Sequence, residues 1–260
     1  MSVKIIKKTL KNKYFQFNGF VFVPSNDPSS KPIRQEWAIF THGYTASKSD
    51  CISWAQRLAE SGIPAVIFDL PGHHLGSLNK VESFDDFKDH AVECFEDAYD
   101  FLQETIGGSP SKLILGGHSL GALLSVKALE LDKFSNFEKI CLAIGFGISQ
   151  HSSSHIFESD FYKNTLNIRR QLVDETIDSD FMFAWINEEK HTLNVTGERI
   201  HMITGLDDVV VGKGGLEALS NHLKMNGNTV SEIEPKKLPH HEPSLASVHI
   251  YSFLKKELSL

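Results

Sequence analysis

The sequence predicts an α/β fold, a mostly parallel central sheet covered by helices on both faces. Three observations lead there. Short wholly apolar runs recur, as at Trp37-Ala38-Ile39-Phe40, Ala65-Val66-Ile67-Phe68 and Ile140-Cys141-Leu142-Ala143-Ile144. A strand with one wet face would alternate instead, so these runs belong to a sheet buried on both sides. Stretches with helical apolar spacing separate them, which makes the chain a succession of strand–helix units.

In chain order, residues 3–10 and 14–23 read as two strands joined near Lys11-Asn12-Lys13, the second alternating through Phe15, Phe17, Phe20 and Phe22. Residues 24–32 are a polar Ser/Asp/Pro loop. The strand at 37–40 ends at Thr41-His42-Gly43, and a helix follows with Ile52, Ala55, Leu58 and Ala59 on one face, closed at Ser61-Gly62. The strand at 65–68 leads into Asp69-Leu70-Pro71-Gly72. Phe84, Phe87, Ala91, Cys94, Phe95, Ala98, Phe101 and Leu102 then mark one long amphipathic helix, stopped at Gly107-Gly108. Leu113-Ile114-Leu115 is the next strand, and residues 120–131 are apolar almost all round, as a helix packed on a sheet should be. Residues 140–145 and 200–205 are the sixth and seventh strands. A helix at 216–223, a weaker strand near 230–233 and a closing helix over 244–260 complete the chain. Residues 150–198 carry no strand-like run; they begin polar (150–155) and continue helix-compatible and aromatic. A connection that long in a compact domain is usually functional. The expected division is therefore a core of 1–149 and 199–260 with a helical lid at 150–198.

The 260 residues suit one large domain. Composition is that of a globular protein, 41% apolar and 23% charged, with net charge −7 and no basic stripe. That excludes a nucleic-acid partner. No apolar stretch approaches the ~18 residues of a membrane span, and the N-terminal segment lacks the apolar core of a secretory signal. Cys51, Cys94 and Cys141 are widely spaced and read as reduced core thiols, so a cytoplasmic location is expected.

Gly117-His118-Ser119-Leu120-Gly121 fits G-x-S-x-G, a nucleophile elbow. In that turn a strand bends sharply into a helix. The serine at the bend projects its hydroxyl outward, and flanking glycines let strand and helix approach. A serine hydroxyl is a poor nucleophile at neutral pH and needs a base. Histidine suits that task, and a carboxylate fixes the imidazole's tautomer.

With the elbow in place, the chain resembles the α/β-hydrolase superfamily over nearly its whole length. His42-Gly43-Tyr44 resembles the family's His-Gly oxyanion loop. Phe68-Asp69-Leu70-Pro71-Gly72-His73 with Gly76-Ser77 is similar to its Asp-x-x-Gly-His-Gly-x-Ser turn. Gly205-Leu206-Asp207-Asp208 resembles the Gly-x-x-Asp segment that carries its acid, and His241-Glu242-Pro243 resembles its late His-x-Pro turn. The resemblance implies the α/β-hydrolase fold with a helical lid insertion. It also implies a serine hydrolase that cleaves a small carboxylic ester or thioester through an acyl-enzyme, with no cofactor and no metal. It assigns Ser119 as nucleophile, Asp208 as acid and His241 as base, and the backbone N–H groups of Tyr44 and Leu120 as oxyanion donors. His42, Gly43 and His118 are expected at the substrate pocket. Asp207 stays open as an alternate because it adjoins Asp208 and only one of the two can orient the histidine, and His240 because Lys236-Lys237-Leu238-Pro239 stands where a Gly-rich turn is common.

Other features read plainly. His73 and His74 belong to a loop, with no third ligand at metal-site spacing. Gly212-Lys213-Gly214-Gly215 is a helix-entry turn. Arg169-Arg170 is a solvated helix face, the alternative being contact with an acidic substrate. Phe181, Phe183 and Trp185 either line an acyl pocket or anchor the lid. C–C bond hydrolysis, peptidase chemistry and non-catalytic ligand binding are the alternative functions on this scaffold.

Overall fold

Alternate residues of the apolar runs go to opposite faces of one eight-stranded sheet, and both faces are covered. On β5 (Lys112–His118), Leu113 and Leu115 join one buried cluster while Ile114 joins the other. The same division holds on β4 (Ala65–Phe68), where Val66 and Phe68 face one cluster and Ala65 and Ile67 the other. This two-sided burial is why these strands show no polar alternation. Each fully buried aliphatic side chain contributes about 1.5–3 kcal/mol. The structure, a computed structural model, describes residues 3–25, 31–149 and 160–260. The middle of the 24–32 loop and the polar opening of the insertion at 150–155 lie outside the described residues.

Besides β4 and β5, the strands are β1 (Val3–Lys11), β2 (Gln16–Pro24), β3 (Glu36–Thr41), β6 (Glu138–Ile144), β7 (Arg199–Ile203) and β8 (Thr229–Ile233). Their order is β1-β2-β4-β3-β5-β6-β7-β8. β1 pairs antiparallel with β2 and β2 antiparallel with β4; every other pairing is parallel. The expected mostly parallel, helix-covered sheet is what forms.

Helices α1 (Ile52–Ala59) and α8 (Ser247–Glu257) cover one face through Trp54, Leu58, Ile250 and Leu254. The other face carries α3 (Cys94–Ile106), α4 (Leu120–Lys127) and α7 (Gly215–Met225). The single helix expected from Phe84 to Leu102 is two, α2 (Phe84–His90) and α3, joined by a 3₁₀ turn at Ala91–Glu93. The break lets Phe87 pack edge-on against Trp185 while Phe95 packs edge-on against Phe68. The inserted segment contributes α5 (Asp160–Arg169) and α6 (Ser179–Thr192). α6 lies on α4, and Lys127 of α4 pairs with Glu189 of α6 at 2.6 Å. α4 thus sits between sheet and insertion, which explains why its sequence is apolar all round. Among the described residues, no helix is long and apolar enough to cross a membrane.

Candidate active site

Ser119, at the β5–α4 junction, has φ 52° and ψ −109°, a backbone conformation that L-residues rarely adopt. Two glycines make the bend possible. A Cβ on Gly117 would come within 2.4 Å of the Gly121 carbonyl, and one on Gly121 within 2.5 Å of the His42 carbonyl oxygen. No flexible side chain could yield at either point, because the obstacles are backbone. The strained serine is anchored by Ser119 N–H donating to the Ile144 carbonyl at 2.9 Å. Leu120 begins α4, so its N–H has no carbonyl to bond within the helix.

Asp208 follows β7 and is almost fully buried. Its Oδ1 accepts from the backbone N–H groups of Val210 at 3.0 Å and Val211 at 2.9 Å. Its Oδ2 accepts from His240 Nδ1 at 2.8 Å. The neighbouring Asp207 turns the other way and accepts from Leu238 N–H at 2.9 Å, which ties down the loop that delivers His240. Gly205 permits this closeness, since a Cβ there would lie 1.9 Å from the Leu238 carbonyl oxygen. His241 does not meet Asp208. Its side chain is 67% exposed and its Nε2 sits 3.7 Å from Glu242. The structure therefore brings together Asp208 and His240, where the His-x-Pro register favours His241.

Ser119, His240 and His118 open onto one cavity of about 500 Å³, with Tyr44 in its wall. His241 lines it too, with a side chain that is largely exposed. His118 is buried between two glycines; a Cβ on Gly43 would meet its Nδ1 at 2.7 Å and one on Gly145 its Nε2 at 2.8 Å. Its ring lies 4.6 Å from that of His240, and neither of its nitrogens makes a hydrogen bond. Burial, then the neighbouring His240, holds its pKa well below the usual histidine range, so it is a neutral imidazole.

His42 and Gly43 stand behind the cavity wall rather than in it. The His42 Nε2 accepts from Leu70 N–H at 2.9 Å, so its Nδ1 carries the proton toward the Gly43 carbonyl at 2.8 Å. Burial lowers its pKa to about 4. Holding the Gly43 carbonyl on one side turns the Tyr44 N–H to the other, because the trans peptide sets the two groups opposite. Behind this loop, Asp69 accepts from Lys48 twice, from Nζ at 2.5 Å and from the backbone N–H at 2.9 Å. Sequence reading did not single out Lys48. His73 packs edge-on to His42 and Tyr44, its Nδ1 2.9 Å from the Pro71 carbonyl, a loop position as expected.

The insertion supplies Thr165, Arg169, Leu172 and Phe183 to the same cavity. The three aromatics of α6 divide. Phe183 reaches the cavity and meets Tyr44 edge-on at 5.4 Å. Trp185 is buried against Phe84 and Phe87. Phe181 is 57% exposed. From α6, Lys190 lies over the Phe146 ring at 5.2 Å, and burial lowers its pKa to about 8.

A sequence profile described as the alpha/beta hydrolase family matches residues 38–189, more than half of the chain. No curated protein sequence matches. Solved structures do. A highly thermostable carboxyl esterase from Bacillus coagulans aligns over 98% of this chain and 99% of its own, at TM-score 0.66 and 14% identity. A structure titled arylesterase aligns over 97% and 84% at TM-score 0.66, also at 14% identity. The thioesterase domain of the curacin biosynthetic pathway aligns over 96% and 99% at TM-score 0.61 and 14% identity. At these identities the likeness is one of fold.

Proposed function

This chain belongs to the alpha/beta hydrolase family, and from that premise we propose that it is a serine hydrolase of small carboxylic esters or thioesters. The observation that carries the reading is the convergence on one cavity of the strained Ser119 and of His240, itself bonded to Asp208. Ser119 Oγ attacks the substrate carbonyl and gives its proton to His240 Nε2, the nitrogen not committed to Asp208. Asp208 fixes the tautomer and stabilises the imidazolium that results. The N–H groups of Leu120 and Tyr44 receive the tetrahedral oxyanion. His240 then protonates the leaving alcohol or thiol, and water attacks the acyl-enzyme by the same route. His240 replaces His241 as base in this reading, and Asp207 has a loop-holding role.

The insertion at 150–198 serves as a lid over the core of 1–149 and 199–260, and Phe183 and Leu172 give its inner side an apolar face. Named esterases and a thioesterase among the structural neighbours favour ester or thioester substrates over peptides. Three buried unpaired thiols fit a reducing, cytoplasmic setting.

A fluorophosphonate probe tests the nucleophile. Wild-type protein is expected to label and to hydrolyse short nitrophenyl esters, and Ser119→Ala to do neither. Equal labelling of both proteins overturns the assignment, and ligand binding without turnover makes the chain a binding protein.

A further inference from the structure

The paired arginines of the insertion separate in the structure. Arg170 is fully engaged, with its Nε 2.8 Å from Ser179 Oγ and 3.1 Å from Asp178, and its Nη2 2.5 Å from Asp180. Arg169, one residue earlier at the end of α5, makes no hydrogen bond or ion pair among the described residues and lines the cavity that holds Ser119. Thr165, four residues before it and hence on the same helix face, lines the cavity too, while Ile168 between them is 66% exposed. The helix therefore presents Arg169 to the cavity and Ile168 to solvent.

A guanidinium is always charged and offers a planar fork of donors matched to a carboxylate. In a chain of net charge −7 carrying seven more acidic than basic residues, acidic partners are plentiful, as Arg170 shows. Arg169 has none. Among the described residues the cavity wall holds no lysine and no second arginine, so the charge offered there matches one carboxylate rather than the two or more charges of a phosphate or nucleotide group. Its other ionisable side chains among the described residues are Asp50, Tyr44, His118, His240 and His241. Asp50 lies on a different element, the 3₁₀ turn Lys48–Cys51, and forms no ion pair with Arg169 among the described residues.

We propose that Arg169 is a specificity residue and that the substrate is an ester or thioester carrying one carboxylate away from the scissile bond. This rests on the serine hydrolase reading, and names the substrate class of that same site. The guanidinium takes the carboxylate while Ser119 attacks the ester carbonyl. Phe183 and Leu172 cover the apolar carbons between them.

The test compares the half-ethyl ester of adipic acid with its carboxamide-ended analogue, which has the same shape without the charge. For wild-type protein the ratio of kcat/KM values is expected to favour the carboxylate by about tenfold or more, the effect of one charge-assisted contact. Arg169→Gln is expected to bring that ratio close to one, and Arg169→Lys to restore part of it. Asp50→Asn is expected to keep the preference. Equal rates in wild type, or a preference that survives Arg169→Gln, overturn the proposal. So does a preference for a trimethylammonium-ended ester that Asp50→Asn removes, since the cavity then selects cations. Ser119→Ala separates the two readings. If wild type hydrolyses the carboxamide ester and Ser119→Ala does not, the hydrolase reading stands whatever the ratio. If neither ester is hydrolysed while turnover of the nitrophenyl ester still depends on Ser119, the Arg169 proposal alone falls; if that turnover is absent too, both readings fall.

Discussion

His240 Nδ1 lies 2.8 Å from Asp208 Oδ2, and the histidine next to it in sequence faces Glu242 instead. The two adjacent imidazoles should therefore differ sharply in consequence. His240→Ala is expected to lower kcat by roughly 10⁴, the scale seen when a triad's base or its orientation is lost. His241→Ala should leave kcat within about threefold. Steady-state kinetics on one nitrophenyl ester, with circular dichroism to confirm folding, checks both. A large loss in His241→Ala alone would return the base to that residue.

The paired aspartates part in the same way. Asp208→Asn keeps an acceptor for Val210 and Val211 but cannot hold the imidazolium, so kcat should fall by roughly 10³–10⁴ with little change in melting temperature. Asp207→Ala removes the acceptor of the Leu238 N–H, and the loss should be about 0.5–1.5 kcal/mol of stability. Thermal melts and kinetics on the two variants give opposite signatures. Identical signatures would mean that the two carboxylates share one role.

Much of this arrangement was legible beforehand. The two-faced strands, the elbow and its glycines follow from apolar runs and from residues that lack a Cβ. Asp208 follows from its spacing after Gly205. Which histidine meets Asp208 was not legible, because it turns on register. Leu238 is buried with its N–H held by Asp207, and the turn that follows, closed by Glu242 N–H donating to the Pro239 carbonyl at 3.1 Å, sends the two histidines at its centre in different directions. A motif that counts back from Pro243 cannot register that anchor. The division of Arg169 from Arg170 was equally hidden, because it depends on where Asp178 and Asp180 sit after the chain has turned. The break between α2 and α3 leaves no mark in the apolar spacing, which continues through it.

Lys48 and Asp69 form a buried ion pair beside the His42-Gly43-Tyr44 loop. Removing one partner leaves a charge without its counterion, at a cost of about 3–5 kcal/mol. Asp69→Asn and Lys48→Met should each lower the denaturation midpoint strongly, and the double variant should cost clearly less than the two losses added together. Since Lys48 belongs to the turn just after Tyr44, both single variants should also reduce kcat. Additive stability losses in a double-mutant cycle would show that the pair is not coupled.

Among the described residues, four buried imidazoles set the acid limit of the fold. Burial lowers His42 and His201 to about 4 and His73 to about 3, and holds His118 well below its usual range. Unfolded, each titrates near 6.5. Between pH 6.5 and about 4 the unfolded chain therefore binds more protons than the folded one, as many as four from these residues. Stability rises with pH wherever the unfolded state binds more protons, so it is fully present above about pH 6.5 and falls on acidification. Each such proton contributes a slope of up to about 1.4 kcal/mol per pH unit. Carboxylates protonating below about pH 5 act in the same direction, so one imidazole must be removed to isolate the effect. His201 is suited to this, because it stacks on Phe253 at 3.7 Å and bonds Ser231 far from Ser119's cavity wall. His201→Gln should start from lower stability at pH 7 but lose less of it by pH 5, its slope reduced by about one proton. Urea denaturation at several pH values measures that slope, and an unchanged slope would mean that His201 titrates alike in the folded and unfolded chain.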